Sequence, residues 1–93
     1  MNYRDFLHNK LAVARGRVAQ ARAQVEEQRE RVETLERERQ NTAQAEEILA
    51  GCEQSLKLYK DECDRLGNEV ESAERGAITA ARILSVALRS SDK

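Results

Sequence analysis

The sequence predicts an all-α protein in which two long helices fold back on each other as an antiparallel coiled-coil hairpin. Three observations indicate this class. The 93-residue chain has no Pro or Trp and only 3% aromatic residues, a composition that suits solvated helices better than sheets. Apolar residues recur at alternating steps of three and four along two long stretches. The charges that flank these stretches are mostly opposite in sign in the two halves of the chain.

The first helix is predicted to run over about 3–47. Asn2 can cap free backbone N–H groups, and Asp5 stands in the first turn, where a carboxylate is favourable. The following residues carry one apolar stripe at heptad spacing, with Val at position a in three successive heptads. We name this stripe the first seam: Leu7, Leu11, Ala14, Val18, Ala21, Val25, Gln28, Val32 and Leu35.

The second helix is predicted over about 52–89, followed by a short frayed C-terminus, and both helices form one coiled-coil domain over 1–93. It carries a longer stripe in which positions a and d are filled without interruption. We name this stripe the second seam: Leu49, Cys52, Leu56, Tyr59, Cys63, Leu66, Val70, Ala73, Ala77, Ala80, Leu84 and Ala87. Such a stripe is typical of a helix that faces another helix.

The heptad phase slips between the two seams, because Thr42 to Ala45 is a step of three where a step of four is due. A stammer inside one very long helix and a turn both explain such a slip. We place the turn near 48–51, with Gly51 as a left-handed residue at a helix C-terminus. Gln40 with Asn41, or Asn41 with Gln44, offers another break point.

Charge favours the hairpin over a parallel dimer of long helices, because the parallel dimer would set Arg17 against Arg22 and Glu69 against Glu74. Folding the chain back near Leu49 brings opposite charges together instead. The expected layers are Val18 with Ala80, Ala21 with Ala77, Val25 with Ala73, Val32 with Leu66 and Leu35 with Cys63. The expected ion pairs are Arg22 with Glu74, Arg31 with Glu69 and Glu36 with Lys60.

The net charge of −1 conceals an uneven distribution: residues 1–23 carry +4, residues 24–74 carry −8 and residues 75–93 carry +3. The predicted hairpin joins the two basic segments into one end of about +7. A nucleic-acid-binding accessory protein is therefore an alternative function. Its candidate phosphate contacts are Arg4, Lys10, Arg15, Arg17, Arg22, Arg82 and Arg89.

Several apolar residues near the same end lie off both seams, where a two-helix hairpin leaves them in water. These candidate interface residues are Phe6, Val13, Ile78, Ile83 and Leu88. A contiguous exposed apolar patch indicates a contact surface, and we expect self-association into a four-helix bundle or higher oligomer. The expected partners are a second copy of the chain and another protein.

No catalytic motif appears in the sequence, so we expect a non-enzymatic interaction protein such as an adaptor, an assembly factor or a small protein inhibitor. Cys52 and Cys63 form no metal-ligand spacing with His8, and we expect no metal or cofactor. The two cysteines lie about 16 Å apart on one helix, too far for a disulfide. No apolar stretch is long enough for a membrane span, and residues 1–10 lack the apolar core of a signal peptide, so we expect a cytoplasmic protein.

Overall fold

Two α-helices make up the computed structural model, which describes residues 2–91, with side chains as far as Leu88. Helix α1 (Tyr3–Arg37) has 35 residues and helix α2 (Ala43–Ser91) has 49. The helices pack side by side as a hairpin in a rod of 84 × 18 × 15 Å. The predicted all-α helical hairpin is confirmed, and the alternative of one uninterrupted helix is wrong.

Helix α1 begins where the sequence predicts. Asn2 has extended backbone angles, and its side-chain Oδ1 accepts a hydrogen bond from the Asp5 backbone N–H at 2.8 Å. The Phe6 N–H donates to the Asn2 carbonyl at 3.1 Å. This cap satisfies N–H groups that have no partner in the first turn of a helix.

The turn between the helices spans residues 38–42 and begins with a Schellman motif that ends α1. The Arg39 N–H donates to the Glu36 carbonyl at 3.1 Å, and the Gln40 N–H donates to the Leu35 carbonyl at 2.8 Å. Arg39 adopts φ 55°, the left-handed conformation that this motif requires and that glycine usually supplies. Asn41 Oδ1 then accepts from the Ala43 N–H at 2.9 Å and starts α2.

The predicted turn near 48–51 is therefore wrong, and the break point at Gln40 and Asn41 is the one that the chain uses. Gly51 lies inside α2 with a negative φ, like the other glycines. The phase slip at Thr42 marked the right place. Gly51 misled the prediction because the residue that adopts the left-handed conformation is an arginine.

The first seam forms the buried side of α1, as predicted. The six buried residues of this helix all belong to it: Leu7, Leu11, Ala14, Ala21, Val25 and Val32. On α2 the buried residues are Ala45, Leu66 and Val70. The largest cluster lies where Leu7, Leu11 and Ala14 meet Leu66 and Val70. Packing of these two apolar stripes is what holds the helices together.

The register of the hairpin differs from the predicted one because the turn lies about ten residues earlier. Cys63 and Ala73 were expected opposite Leu35 and Val25. Both instead pack against the cluster around Leu11, near the beginning of α1. The predicted layers are wrong, although the residues predicted to line them on α1 are right.

The interhelical ion pairs follow the same register. Glu74 Oε1 lies 3.0 Å from His8 Nε2 and 4.0 Å from the Arg4 guanidinium, and Arg29 Nη2 lies 3.9 Å from Glu53 Oε1. The predicted partners of Glu74 and Glu69 on α1 lie farther along the rod. Exposed pairs of this kind contribute less than about 1 kcal/mol each, so they adjust the register and do not determine the fold.

Helix α2 is longer than α1 and continues past it. A shallow groove lined by Arg4, Ala77, Ile78 and Ala81 marks the level at which α1 begins. We name residues 78–91 of α2 the overhang. It extends about 21 Å beyond the first residue of α1.

Gln28 is the one polar member of the first seam. Its side-chain Oε1 is buried and has no hydrogen-bond partner in the described structure. An amide buried in this way costs free energy.

Our first prediction tests the register with single cysteines in a Cys52→Ser background. The register places Val18 level with Cys63, so Val18→Cys should form an intrachain disulfide with Cys63 under mild oxidation. The matched control is Leu35→Cys, the partner that the sequence predicted for Cys63, which lies about 25 Å away along the rod. Peptide mapping of the monomer band identifies the bridge. An intrachain bridge only in the Leu35→Cys protein would contradict the observed register.

Our second prediction concerns the turn. Arg39→Gly should raise the free energy of unfolding by about 0.5–1 kcal/mol, because it relieves the cost of a side chain in the left-handed region. Thermal melting followed by circular dichroism measures this gain, which corresponds to a few degrees for a chain of this size.

Gly51→Ala is the companion variant for that measurement. It should also stabilise the protein, by up to about 1 kcal/mol, because an added Cβ at Gly51 meets nothing within 4 Å. If the turn lay at 48–51, both substitutions would destabilise the protein instead.

Our third prediction is that Gln28→Leu raises the free energy of unfolding by about 1 kcal/mol, since it removes an unsatisfied amide from the seam. Gln20→Leu is the matched control, because Gln20 is exposed on α1, and it should change stability by less than about 0.5 kcal/mol. Urea titration at matched protein concentration compares the two. Equal effects of the two substitutions would show that the Gln28 amide is not the cause.

Candidate functional site

The overhang exposes the continuation of the second seam. Leu66 and Val70, where α1 covers the seam, are 3% and 7% exposed, whereas Leu84 on the same stripe is 62% exposed. Ala77, Ala80 and Ala87 are exposed as well. The sequence predicted these residues as part of the hairpin core. They are uncovered because α1 begins level with Ala77.

Apolar residues also occupy the two flanks of the seam in the overhang. Ile83 is 64% exposed and stands at position g, and Ala81 and Leu88 stand at position e. Arg82 stands at position f, on the opposite side of the helix. The result is a helical face of four heptad positions without a charged residue, which is wider than the two-position stripe of a simple two-helix coiled coil.

The five predicted interface residues are all exposed, but they lie in two places. Ile78, Ile83 and Leu88 belong to the overhang. Phe6 and Val13 instead line a groove on the side of the hairpin, together with Lys10, Arg17, Glu62 and Leu66. The chain therefore has two apolar surfaces where the sequence suggested one.

Val86 was missed by the sequence analysis, and it is 61% exposed. It stands at position c, away from the seam and its flanks. The sequence placed Leu84 in the core because the turn was predicted too late. When the turn is placed at the phase slip, α1 is shorter than α2, and the exposure of Leu84 follows from this difference in length.

The predicted basic residues do not form one end of the rod. Arg4 lies beside Glu74, and Lys10 Nζ lies 5.0 Å from the centre of the Phe6 ring, a cation–π contact. Arg15, Arg17 and Arg22 are exposed along α1, and Arg82 is exposed on the overhang. The side chain of Arg89 lies outside the described residues.

The expected concentration of about +7 at one end is consequently wrong. The basic start of α1 lies beside an acidic part of α2, where Glu62, Glu69 and Glu74 belong to the same length of rod. The basic C-terminal segment extends beyond it. The earlier turn separates the two basic segments along the rod axis, so opposite charges share the hairpin surface.

His8 contacts the other helix. Its side chain is exposed, and its Nε2 lies 3.0 Å from Glu74 Oε1. Glu74 thus contacts two residues of the first turns of α1. These contacts lie at the place where the covered part of α2 ends and the overhang begins.

Cys52 and Cys63 are free thiols, both partly buried along the second seam. Within residues 2–91, no group of three or more His, Cys, Asp or Glu is arranged to hold a metal ion. Over the same described residues, neither helix has a stretch long and apolar enough to cross a membrane.

Comparison of the chain with protein-family models, curated proteins and solved structures gave no match.

Proposed function

We propose that this chain is a non-enzymatic coiled-coil interaction protein that works by binding other helices and forms a homo-oligomer through the apolar face of its overhang. The observation that carries this proposal is that the second seam continues along α2 beyond Tyr3, the first residue of α1. An adaptor, an assembly factor and a small protein inhibitor all act through this kind of contact.

The uncovered face supplies enough apolar surface to drive association. Full burial of an Ile or Leu side chain contributes about 1.5–3 kcal/mol, and each copy offers Ile83, Leu84 and Leu88 on this face at more than half exposure. Two copies together gain on the order of 10 kcal/mol. The cost of association is at least about 4 kcal/mol, so about 6 kcal/mol at most remains. We therefore expect a dissociation constant of tens of micromolar or weaker.

The absence of charge on the face supports a protein helix as the ligand. From 76 to 88 the only charged residue is Arg82, which points away from the seam. A partner helix therefore desolvates no ion when it packs there, and burial of unpaired charge is the largest penalty that such an interface has to avoid.

Our fourth prediction tests this function by sedimentation velocity between about 1 and 200 µM. The wild-type protein should show a mass that rises with concentration to at least a dimer. Ile83→Asp should lower the affinity at least tenfold, because it places a carboxylate on the apolar face. Helical circular dichroism should be largely retained, because the hairpin core lies elsewhere.

Val86→Asp is the matched control, with the same new side chain in the same turn, at nearly the same exposure, on another side of the helix. It should leave the mass unchanged. A wild-type protein that stays monomeric at 200 µM would contradict the proposed function. Equal loss in both variants would show that added charge, and not the apolar face, controls association.

A further inference from the structure

We propose that the oligomer is an antiparallel dimer in which the two overhangs pair with each other around a two-fold axis at Leu84. This inference rests on the proposed function and specifies its geometry. Each overhang then supplies the helix that α1 is too short to provide, and two hairpins join end to end in one long rod.

The seam of the hairpin continues into this dimer without a change of phase. Inside the hairpin, the a and d residues of both helices share one cluster, with Leu11 and Ala14 on α1 and Val70 and Leu66 on α2. An axis at Leu84 keeps the a and d stripe of α2 at the contact. It sets Leu84 opposite Leu84 of the second copy, and Ala80 opposite Ala87 of the second copy.

The side chains of the face are complementary to themselves in this alignment. Alanine faces alanine in the d layers, which allows the two helices to approach closely, and Leu84 fills the central layer from both sides. On one flank Ile83 lies next to Ile83 of the second copy. On the other flank Ala81 lies beside Leu88 of the second copy, so that a small side chain meets a large one.

The start of α1 limits how far the two overhangs can slide together. In the proposed alignment, Ser91 of the second copy comes level with the first residues of α1 at Tyr3. A longer overlap would make the two helices collide. The overlap is thus the full overhang of about 21 Å, and the C-terminal end of one helix meets the N-terminal end of another, which is a favourable orientation of their dipoles.

The charges favour this end-to-end pairing over the four-helix bundle that the sequence suggested. A bundle would place the overhang of one copy in the side groove of the other, against Phe6 and Val13. That groove is flanked by two basic residues, Lys10 and Arg17, and by one acidic residue, Glu62. Its excess of basic charge repels the overhang, which carries Arg82 and has no acidic residue from 75 to 91. In the end-to-end dimer Arg82, at position f, points away from the partner.

Our fifth prediction tests the axis with single cysteines in a Cys52→Ser, Cys63→Ser background. Leu84→Cys should form an interchain disulfide at least ten times faster than Val86→Cys in a glutathione redox buffer. The two positions are equally exposed, so exposure does not explain a difference in rate. Similar rates, or faster bridging in the Val86→Cys protein, would overturn the proposed axis.

Small-angle scattering of the wild-type dimer tests the arrangement independently. Two rods of 84 Å that overlap by about 21 Å give a maximum dimension of about 150 Å, whereas a side-by-side bundle stays much closer to the length of one rod. Phe6→Asp and Val13→Asp should leave the dimer intact. A compact dimer that these two substitutions dissociate would overturn the end-to-end arrangement while leaving the proposed function in place.

A wild-type protein that remains monomeric at 200 µM would overturn this inference and the proposed function together. Flotation with vesicles of phosphatidylcholine and phosphatidylserine identifies one competing ligand for the same face. If the monomer floats with these vesicles and Leu84→Asp abolishes the effect, the face binds a membrane surface, and the dimer is overturned. We expect no flotation of the dimer.

Discussion

The position of the turn is the constraint on which the rest of this structure depends. The hydrogen bond from the Gln40 N–H to the Leu35 carbonyl closes α1 at Arg37 and directs the chain back along its own seam. Because α1 is then 35 residues long and α2 is 49, part of α2 has no intrachain partner. A turn ten residues later would cover most of the residues that we assign to the interface.

The two seams specify a hairpin more strongly than they specify its alignment. Alanine and valine recur in both seams, and such small residues pack acceptably in more than one heptad register. Exposed ion pairs add little discrimination, because each contributes less than about 1 kcal/mol. The short turn therefore carries much of the selection, because it fixes where α2 begins.

The sequence was sufficient for the fold class, the start of α1 and the buried side of α1, because these follow from local patterns: a capping residue and an apolar period. It was insufficient for the turn, since Arg39 adopts a left-handed conformation that its identity does not indicate and Gly51 does not adopt. The main errors in the candidate site follow from that one residue. Leu84 was assigned to the core, and the two basic segments were joined into one end, only because the turn was placed too late.

Helix α1 and a second copy of the chain compete for the same seam of α2. This competition explains why an exposed overhang is compatible with a stable hairpin. Along the covered part of α2, helix α1 is tethered by a turn of five residues, which gives it a local concentration in the millimolar range or above. A second copy at micromolar concentration does not displace it. Past Tyr3 the tethered competitor ends, and the same apolar pattern is open to a helix in solution. The length of α1 thus divides one continuous seam into an intrachain part that stabilises the fold and an exposed part whose partner we infer to be a second copy of the chain.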